Sequence, residues 1–234
     1  MKLLAVETST EACSAALFID GEVQERYELA PKTHTKLILP MIDELMAAAE
    51  LKPQQLDALA FSRGPGSFTG VRVATGVIQG IAFGADLPVV PVSTLAALAQ
   101  DFFMRSSIAV AFAAMDARIS EIFWGVYQRN TDGFAALLGE EAVLPPADVI
   151  PPVLSGAGIG SGWAVYPELL TARLQQQVLH IESECLPRAA VVARLGEYGF
   201  RLGQAVGVEH ALPVYLRDKV AKTEAERFAA KFNA

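Results

Sequence analysis

The chain has 234 residues, 52% of them hydrophobic, which is enough to bury a core without disulfides or metal and too apolar for intrinsic disorder. Its net charge is −7, and no Lys/Arg run exceeds two residues. Gripping nucleic acid unaided is therefore disfavoured, because such affinity rests on neutralising phosphates. Lys2 to Val6 reads as a first buried strand, too short to be the apolar core of a secretory signal. Cys13 to Ile19 reads as a second strand, and Asp20-Gly21 as a two-residue hairpin turn. Val23, Glu25, Tyr27 and Leu29 then share one face of a third strand.

A helix is predicted from about Lys36 to Glu50. Ile38, Ile42, Leu45 and Ala49 form one apolar stripe, and Leu37, Met41 and Ala48 form a flanking one. Pro40 must lie in the first turn or kink that helix. Leu56 to Ser62 is a fourth strand, followed by the tight turn Arg63-Gly64-Pro65-Gly66-Ser67-Phe68-Thr69-Gly70. Val71 to Phe83 is a second helix, Leu87 to Val92 a fifth strand, and Thr94 to Phe102 a third helix capped by Ser93 or Thr94.

The order recurs imperfectly downstream. Ile108 to Ala114, Glu121 to Tyr127 and a ragged stretch from Phe134 to Val143 read as strands. Pro145, Pro146, Pro151 and Pro152 interrupt the chain before Val153 to Gly158, and Ala189 to Leu202 reads as a helix. Thr223 to Lys231 reads as a short charged helix. The repeated βββαβα plan is that of the actin-like α/β architecture (ASKHA, RNase H-like): two related domains facing a cleft. The expected division is 1–104, joined by a terminal helix at 218–234, and a smaller, degenerate domain at 105–217. No membrane span is expected. Val71 to Gly84 comes nearest, but it is short of about 20 apolar residues and carries Arg72 and Gln79.

The Gly64–Gly70 loop resembles a phosphate loop only superficially. Its glycines are six apart instead of five, and Val71-Arg72 stand where Lys and Ser/Thr belong. It is read as a strand-to-helix turn, although its backbone N–H groups could meet an anion. Gly76, Gly80 and Gly84 recur every four residues within the helix, beside the ridge Val73, Val77 and Ile81. Each helical glycine costs about 0.5–1 kcal/mol against alanine. Either a second helix approaching from a partner or close packing within the monomer would offset that cost.

Glu7-Thr8-Ser9 stands where actin-like ATPases carry Asp-x-Gly-Thr. The longer acid and the added side chain would intrude on nucleotide and metal. Together with Asp116 and Arg118, these residues form a candidate degenerate ligand cleft. Asp116-Ala117-Arg118 reads equally as an ion pair at a strand turn, which is the preferred reading. His34 has no second ligand one turn on, since Ile38 is apolar. Cys13 sits in an apolar strand, and no nucleophile elbow is present. No metal, cofactor or catalytic residue is expected.

Glu7-Thr8-Ser9, the block Arg63 to Arg72, Met115-Asp116-Ala117-Arg118 and Pro213-Val214-Tyr215-Leu216-Arg217 closely resemble the TsaB (YeaZ) family over almost the whole chain, with little resemblance from Thr131 to Ser183. The only two cysteines, Cys13 and Cys185, argue against a disulfide framework and for a reducing, cytoplasmic compartment. The resemblance implies a non-catalytic scaffold in making threonylcarbamoyladenosine beside the anticodon of tRNAs that read codons beginning with adenine. The paralogue TsaD would carry the catalytic, metal-holding site, with a His-x-x-x-His motif that His34 and Ile38 do not reproduce. TsaE would be the ATPase third member, and tRNA would be met only through the complex. The resemblance also implies dimerisation, and pairing with TsaD, through the first two helices. Leu37, Met41, Val73, Gly76, Val77, Gly80, Ile81 and Gly84 are the residues expected there. An independent actin-like ATPase or kinase, and a metal-free peptidase, are the competing readings.

Overall fold

Asp20 and Gly21 take φ values of 49° and 102°, the left-handed pair that a two-residue hairpin requires. They join β2 (Ala12–Ile19) to β3 (Glu22–Leu29), and β1 (Lys2–Glu7) pairs antiparallel with β2 on its other side. A computed structural model of the chain describes residues 1–217, so the expected helix at 218–234 lies outside the described residues. The remaining elements are α1 (His34–Ala48), β4 (Ala58–Gly64), α2 (Phe68–Ala85), β5 (Val89–Ser93), α3 (Thr94–Arg105), β6 (Val110–Arg118), β7 (Glu121–Arg129), β8 (Ala135–Leu144), β9 (Gly156–Ile159), α4 (Ser161–Val165), α5 (Pro167–Leu174), β10 (Val178–Glu182) and α6 (Ala189–Arg201).

Two five-stranded sheets result, in the orders β3-β2-β1-β4-β5 and β10-β9-β6-β7-β8. Each begins with an antiparallel three-strand meander and adds two parallel strands beside its first strand. The second half thus repeats the first strand for strand, which is the two-domain actin-like plan. Its helices are reduced. A 3-10 turn at Pro146–Asp148 replaces the counterpart of α1, in the segment where prolines remove backbone donors.

β1 is buried on both faces, with Leu4 and Val6 on one side and Leu3 and Ala5 on the other. α1 and α2 cover the first side through Ile38, Met41, Leu45, Ala74, Ile78 and Ala82. The second is covered by α6, through Ala189, Val192, Ala193 and Leu195. Conversely, Leu95, Leu98 and Phe102 of α3 pack on β6, β7 and β9 of the other sheet. Each half therefore sends its last helix across the boundary. A division at residue 104 follows the sheets but not the helices. α3 and α6 also touch, so they lie together between the two sheets. Trp163 of α4, hydrogen-bonded through Nε1 to Phe112 O at 2.9 Å, anchors the outer layer of the second sheet.

Both α1 and α2 start earlier than predicted. α1 begins at His34, two residues before the predicted start, so of the two placements open to Pro40 the structure shows the one inside the helix. Its missing N–H falls on an exposed stretch, where water can serve the freed carbonyl. α2 runs for 18 residues, starting three before and ending two after the predicted limits, and is long and apolar enough to cross a membrane by length and composition. Only a third of it is buried, and that third is a stripe seated on the first sheet. The apolar excess on its other side needs a separate explanation.

Candidate docking face and a closed cleft

Glu7, Thr8 and Ser9 leave the C-terminal end of β1, where an actin-like fold would present a phosphate-binding turn. All three are buried, and Glu7 has no exposed surface at all. Their surroundings are protein backbone. Thr8 Oγ1 donates to Gly70 O at 2.7 Å, and Ser67 N donates to Ser9 O at 2.7 Å. A Cβ at Gly66 would stand 2.5 Å from Ser9 O, and one at Gly70 would stand 1.9 Å from Thr8 O. The loop between β4 and α2 joins strand to helix as read from the sequence, and it lies directly on this turn. Ser67 caps α2 by accepting from Gly70 N.

Glu7 accepts hydrogen bonds from Ser9 N and from the Ser62 hydroxyl. Burial pushes its carboxyl up from 4.5 to about 7. Ser9 Oγ meets Thr94 Oγ1 at 3.2 Å, tying the turn to the start of α3. Asp116 and Arg118 belong to the other domain and form an ion pair at 2.9 Å beside the β6–β7 turn, with the Arg118 side chain 85% exposed. The five residues of the candidate cleft thus split into a buried, self-satisfied triplet and a surface ion pair.

The remaining chemistry-bearing side chains have structural partners. His34 Nε2 lies 3.2 Å from Ala12 O. Burial raises both the Cys13 and the Cys185 thiol to about 11, far from a thiolate at neutral pH. No group of three or more His, Cys, Asp or Glu side chains with metal-holding geometry occurs among the described residues.

The outer face of α2 is different. Ala74, Ile78 and Ala82 point into the core, so Gly76, Gly80 and Gly84 fall on the opposite, exposed side. A Cβ added at any of the three would meet nothing within 4 Å. Packing within the described chain therefore does not offset their cost. Val73, Val77, Ile81 and Leu37 are partly buried against the core beneath the helices, on the flank toward α1. Met41 is only 8% exposed and belongs to that core, so it offers a docking partner little surface.

Sequence reading overlooked three residues of this face. Phe68 and Arg72 extend the glycine line backward by two steps of four, and Phe83 stands beside Gly84 at 82% exposure. The spacing 68-72-76-80-84 was the available signal, masked because Gly66 and Gly70 mark a loop. The Arg72 guanidinium lies 3.2 Å from the Phe68 ring centroid and 5.2 Å from that of Tyr215.

The family model of TsaD, described as tRNA N6-adenosine threonylcarbamoyltransferase, matches residues 27–225. The chain is 41% identical over 225 residues to the tRNA threonylcarbamoyladenosine biosynthesis protein TsaB of Escherichia coli, spanning 94% of this chain and 96% of that one. It is 40% identical over 229 residues to the protein of the same name from Haemophilus influenzae, spanning 94% and 95%. Among solved structures, YeaZ from Pseudomonas aeruginosa is similar with a TM-score of 0.84 at 41% identity, over 92% of this chain and 99% of that one. Similarity of this extent in sequence and in fold has one reading: the chain belongs to the TsaB (YeaZ) family.

Proposed function

We propose that this chain takes part in tRNA threonylcarbamoyladenosine biosynthesis as a non-catalytic cytoplasmic subunit. It docks the outer face of α2 on a TsaD-like catalytic paralogue and holds that partner in its active shape. A TsaE-like ATPase is the third member, and tRNA is met through the assembly. The observation that carries this reading is the row Gly76, Gly80 and Gly84, exposed, without a neighbour and rimmed by Val73, Val77 and Ile81. Such a face lets another helix approach backbone to backbone, and its burial would offset the cost of the glycines. The closed Glu7-Thr8-Ser9 turn supports the absence of catalysis, because β4–α2 backbone fills the space where a nucleotide phosphate would sit.

The test is reconstitution with the TsaD and TsaE of the same organism. The chain alone is expected to transfer no threonylcarbamoyl group to tRNA, TsaD and TsaE without it to be strongly impaired, and the full mixture to be active. Transfer by the isolated chain, or full activity without it, would refute the proposal. Gly80→Leu is expected to abolish the stimulation while leaving the melting temperature of the isolated chain unchanged or higher, since leucine is the better helix former at an open site.

A further inference from the structure

Residues 211–217 leave the 3-10 turn Val208–His210 and run back along α2 toward its first turn. Ala211 O accepts from Gln79 Nε2 at 2.9 Å, and Val214 N donates to Arg63 O at 2.8 Å. The Tyr215 ring centroid lies 5.7 Å from that of Phe68. The backbone is pressed onto the end of β4, where Gly64 holds φ 103° and a Cβ would stand 2.9 Å from Val214 O. Two residues after Tyr215 the same segment is fastened to the other domain. Arg217 Nε donates to Glu121 Oε2 at 3.0 Å. Its Nη2 donates to the same carboxylate, to Ala117 O at 2.9 Å and to Arg118 O at 3.4 Å. The segment thus runs from the C-terminal end of β4 in one sheet to that of β6 in the other.

The turn that it fastens is one that its own residues disfavour. Arg118, Ile119 and Ser120 all take left-handed φ values, of 62°, 55° and 58°. Ile119 is β-branched and 72% exposed, so neither its side chain nor its burial supports that backbone. Surrounding bonds must hold it. Within the second domain Arg118 N donates to Asp116 Oδ1 at 2.9 Å. The carbonyls of Ala117 and Arg118 are held from outside that domain's strands, by Arg217.

We propose that residues 211–217 form a strap that couples the first turn of α2 to the β6–β7 turn, with Arg217 as the clamp that keeps this strained turn left-handed. Tyr215 and Phe68 are 44% and 60% exposed, and the Arg72 guanidinium lies 5.2 Å from the Tyr215 centroid. One residue separates Tyr215 from Arg217, so their Cα atoms are at most about 7 Å apart. That leaves too little slack for the two anchors to shift independently. A group seated on Phe68 and Tyr215 would press on the strap and restrict the turn of the second domain. This last step rests on the reading of α2 as a docking face, whereas the coupling between the domains does not.

Amide exchange of the isolated full chain tests the coupling. The Tyr215 ring meets Phe68 and Arg72, both on α2, yet Tyr215→Ala is expected to speed exchange in the β6–β7 turn about fivefold or more. Glu121→Gln lies in the second domain, yet it is expected to speed exchange of the Val214 amide, which is bonded to the first. Arg217→Ala should do both. Adding Tyr215→Ala to it should change the turn no further, because the strap is already released. Ile119→Asn with Ser120→Gly installs a pair suited to left-handed turns, and should make the turn insensitive to Arg217→Ala. Circular dichroism and melting curves establish that each variant is folded. If Tyr215→Ala acts only on α2, if Glu121→Gln leaves Val214 unchanged, or if the Tyr215 and Arg217 effects add in full, the strap is no coupler and the proposal falls. If Arg217→Ala still loosens the turn in the Ile119→Asn, Ser120→Gly background, the clamp does not act on strain and that assignment falls. No partner enters the measurement, so its outcome is separate from that of the docking face.

Discussion

Gly70→Ala is expected to destabilise the chain by at least about 3 kcal/mol, while Gly76→Ala, six residues further along the same helix, is expected to stabilise it by about 0.5–1 kcal/mol. At position 70 the added methyl would lie 1.9 Å from Thr8 O and 3.0 Å from Thr8 C. Both obstructing atoms are backbone, so no rotamer change relieves the overlap, and α2 must lift away from the β1–β2 turn. That movement also removes the bond from Thr8 Oγ1 to Gly70 O and strains the one from Ser67 N to Ser9 O. At position 76 the methyl meets nothing, and only the conformational benefit of alanine remains. For a chain of this length, melting temperatures should fall by about 6–12 °C in one case and rise by about 1–4 °C in the other. Thermal melts of the isolated chain check both signs. A neutral Gly70→Ala would mean that the loop does not seal the turn and that the cleft is open. The same Gly76→Ala variant should dimerise less well, because its methyl stands where a second helix must approach.

The pair of substitutions also shows what could be read from the sequence. Helical spacing put Gly76, Gly80 and Gly84 in one row, but spacing alone does not say which side of a helix carries the sheet. That was decided by Ala74, Ile78 and Ala82, whose burial turns the glycines outward. Met41 failed for a related reason. α1 is apolar over a wide arc, and the part of it that faces β2 depends on the placement of the whole helix. The strands of the first sheet, with β6 and β7, were legible because each is a short apolar run bounded by turn residues, and Asp20-Gly21 marks its hairpin directly; β9 and β10 were not read, β9 being four residues with two glycines and β10 carrying His180 and Glu182. The assignment of α3 to the second sheet and α6 to the first was not. Each helix shows an apolar face, and which of two sheets receives it is a long-range choice without a local signature. The start of α2 was missed because glycine at 66 and 70 reads as loop, whereas here glycine is required by the approach of Thr8 and Ser9 to a helix that has already begun.

Glu7→Gln is expected to leave stability near pH 4.5 almost unchanged and to raise it by about 3 kcal/mol at pH 8. In the unfolded chain this carboxyl ionises near 4.5, and in the folded chain near 7, because burial penalises the charged form. Below pH 4.5 both states hold the proton and the site costs nothing. Between 4.5 and 7 the folded state keeps a proton that the unfolded state has released, so stability falls as pH rises. Above 7 both are ionised and the full penalty remains, at about 1.4 kcal/mol for every pH unit that separates the two ionisations. Glutamine removes the titration while keeping a carbonyl for Ser9 N and an amide that can bond to Ser62. Urea denaturation of both proteins at several pH values isolates this group, because all other titrations cancel in the difference. Parallel stability profiles would show that Ser9 and Ser62 already hold the carboxylate ionised, and that burial is not the dominant influence. The expected divergence would show instead that burial in the folded chain, more than the bonds from Ser9 and Ser62, sets the ionisation of this acid. A carboxylate that must orient a metal or water in an ATP site has to stay ionised and reachable. Glu7 has no exposed surface, and its ionisation is pushed up to about 7, so its substitution should change stability with pH while leaving the stimulation of a TsaD-like partner intact.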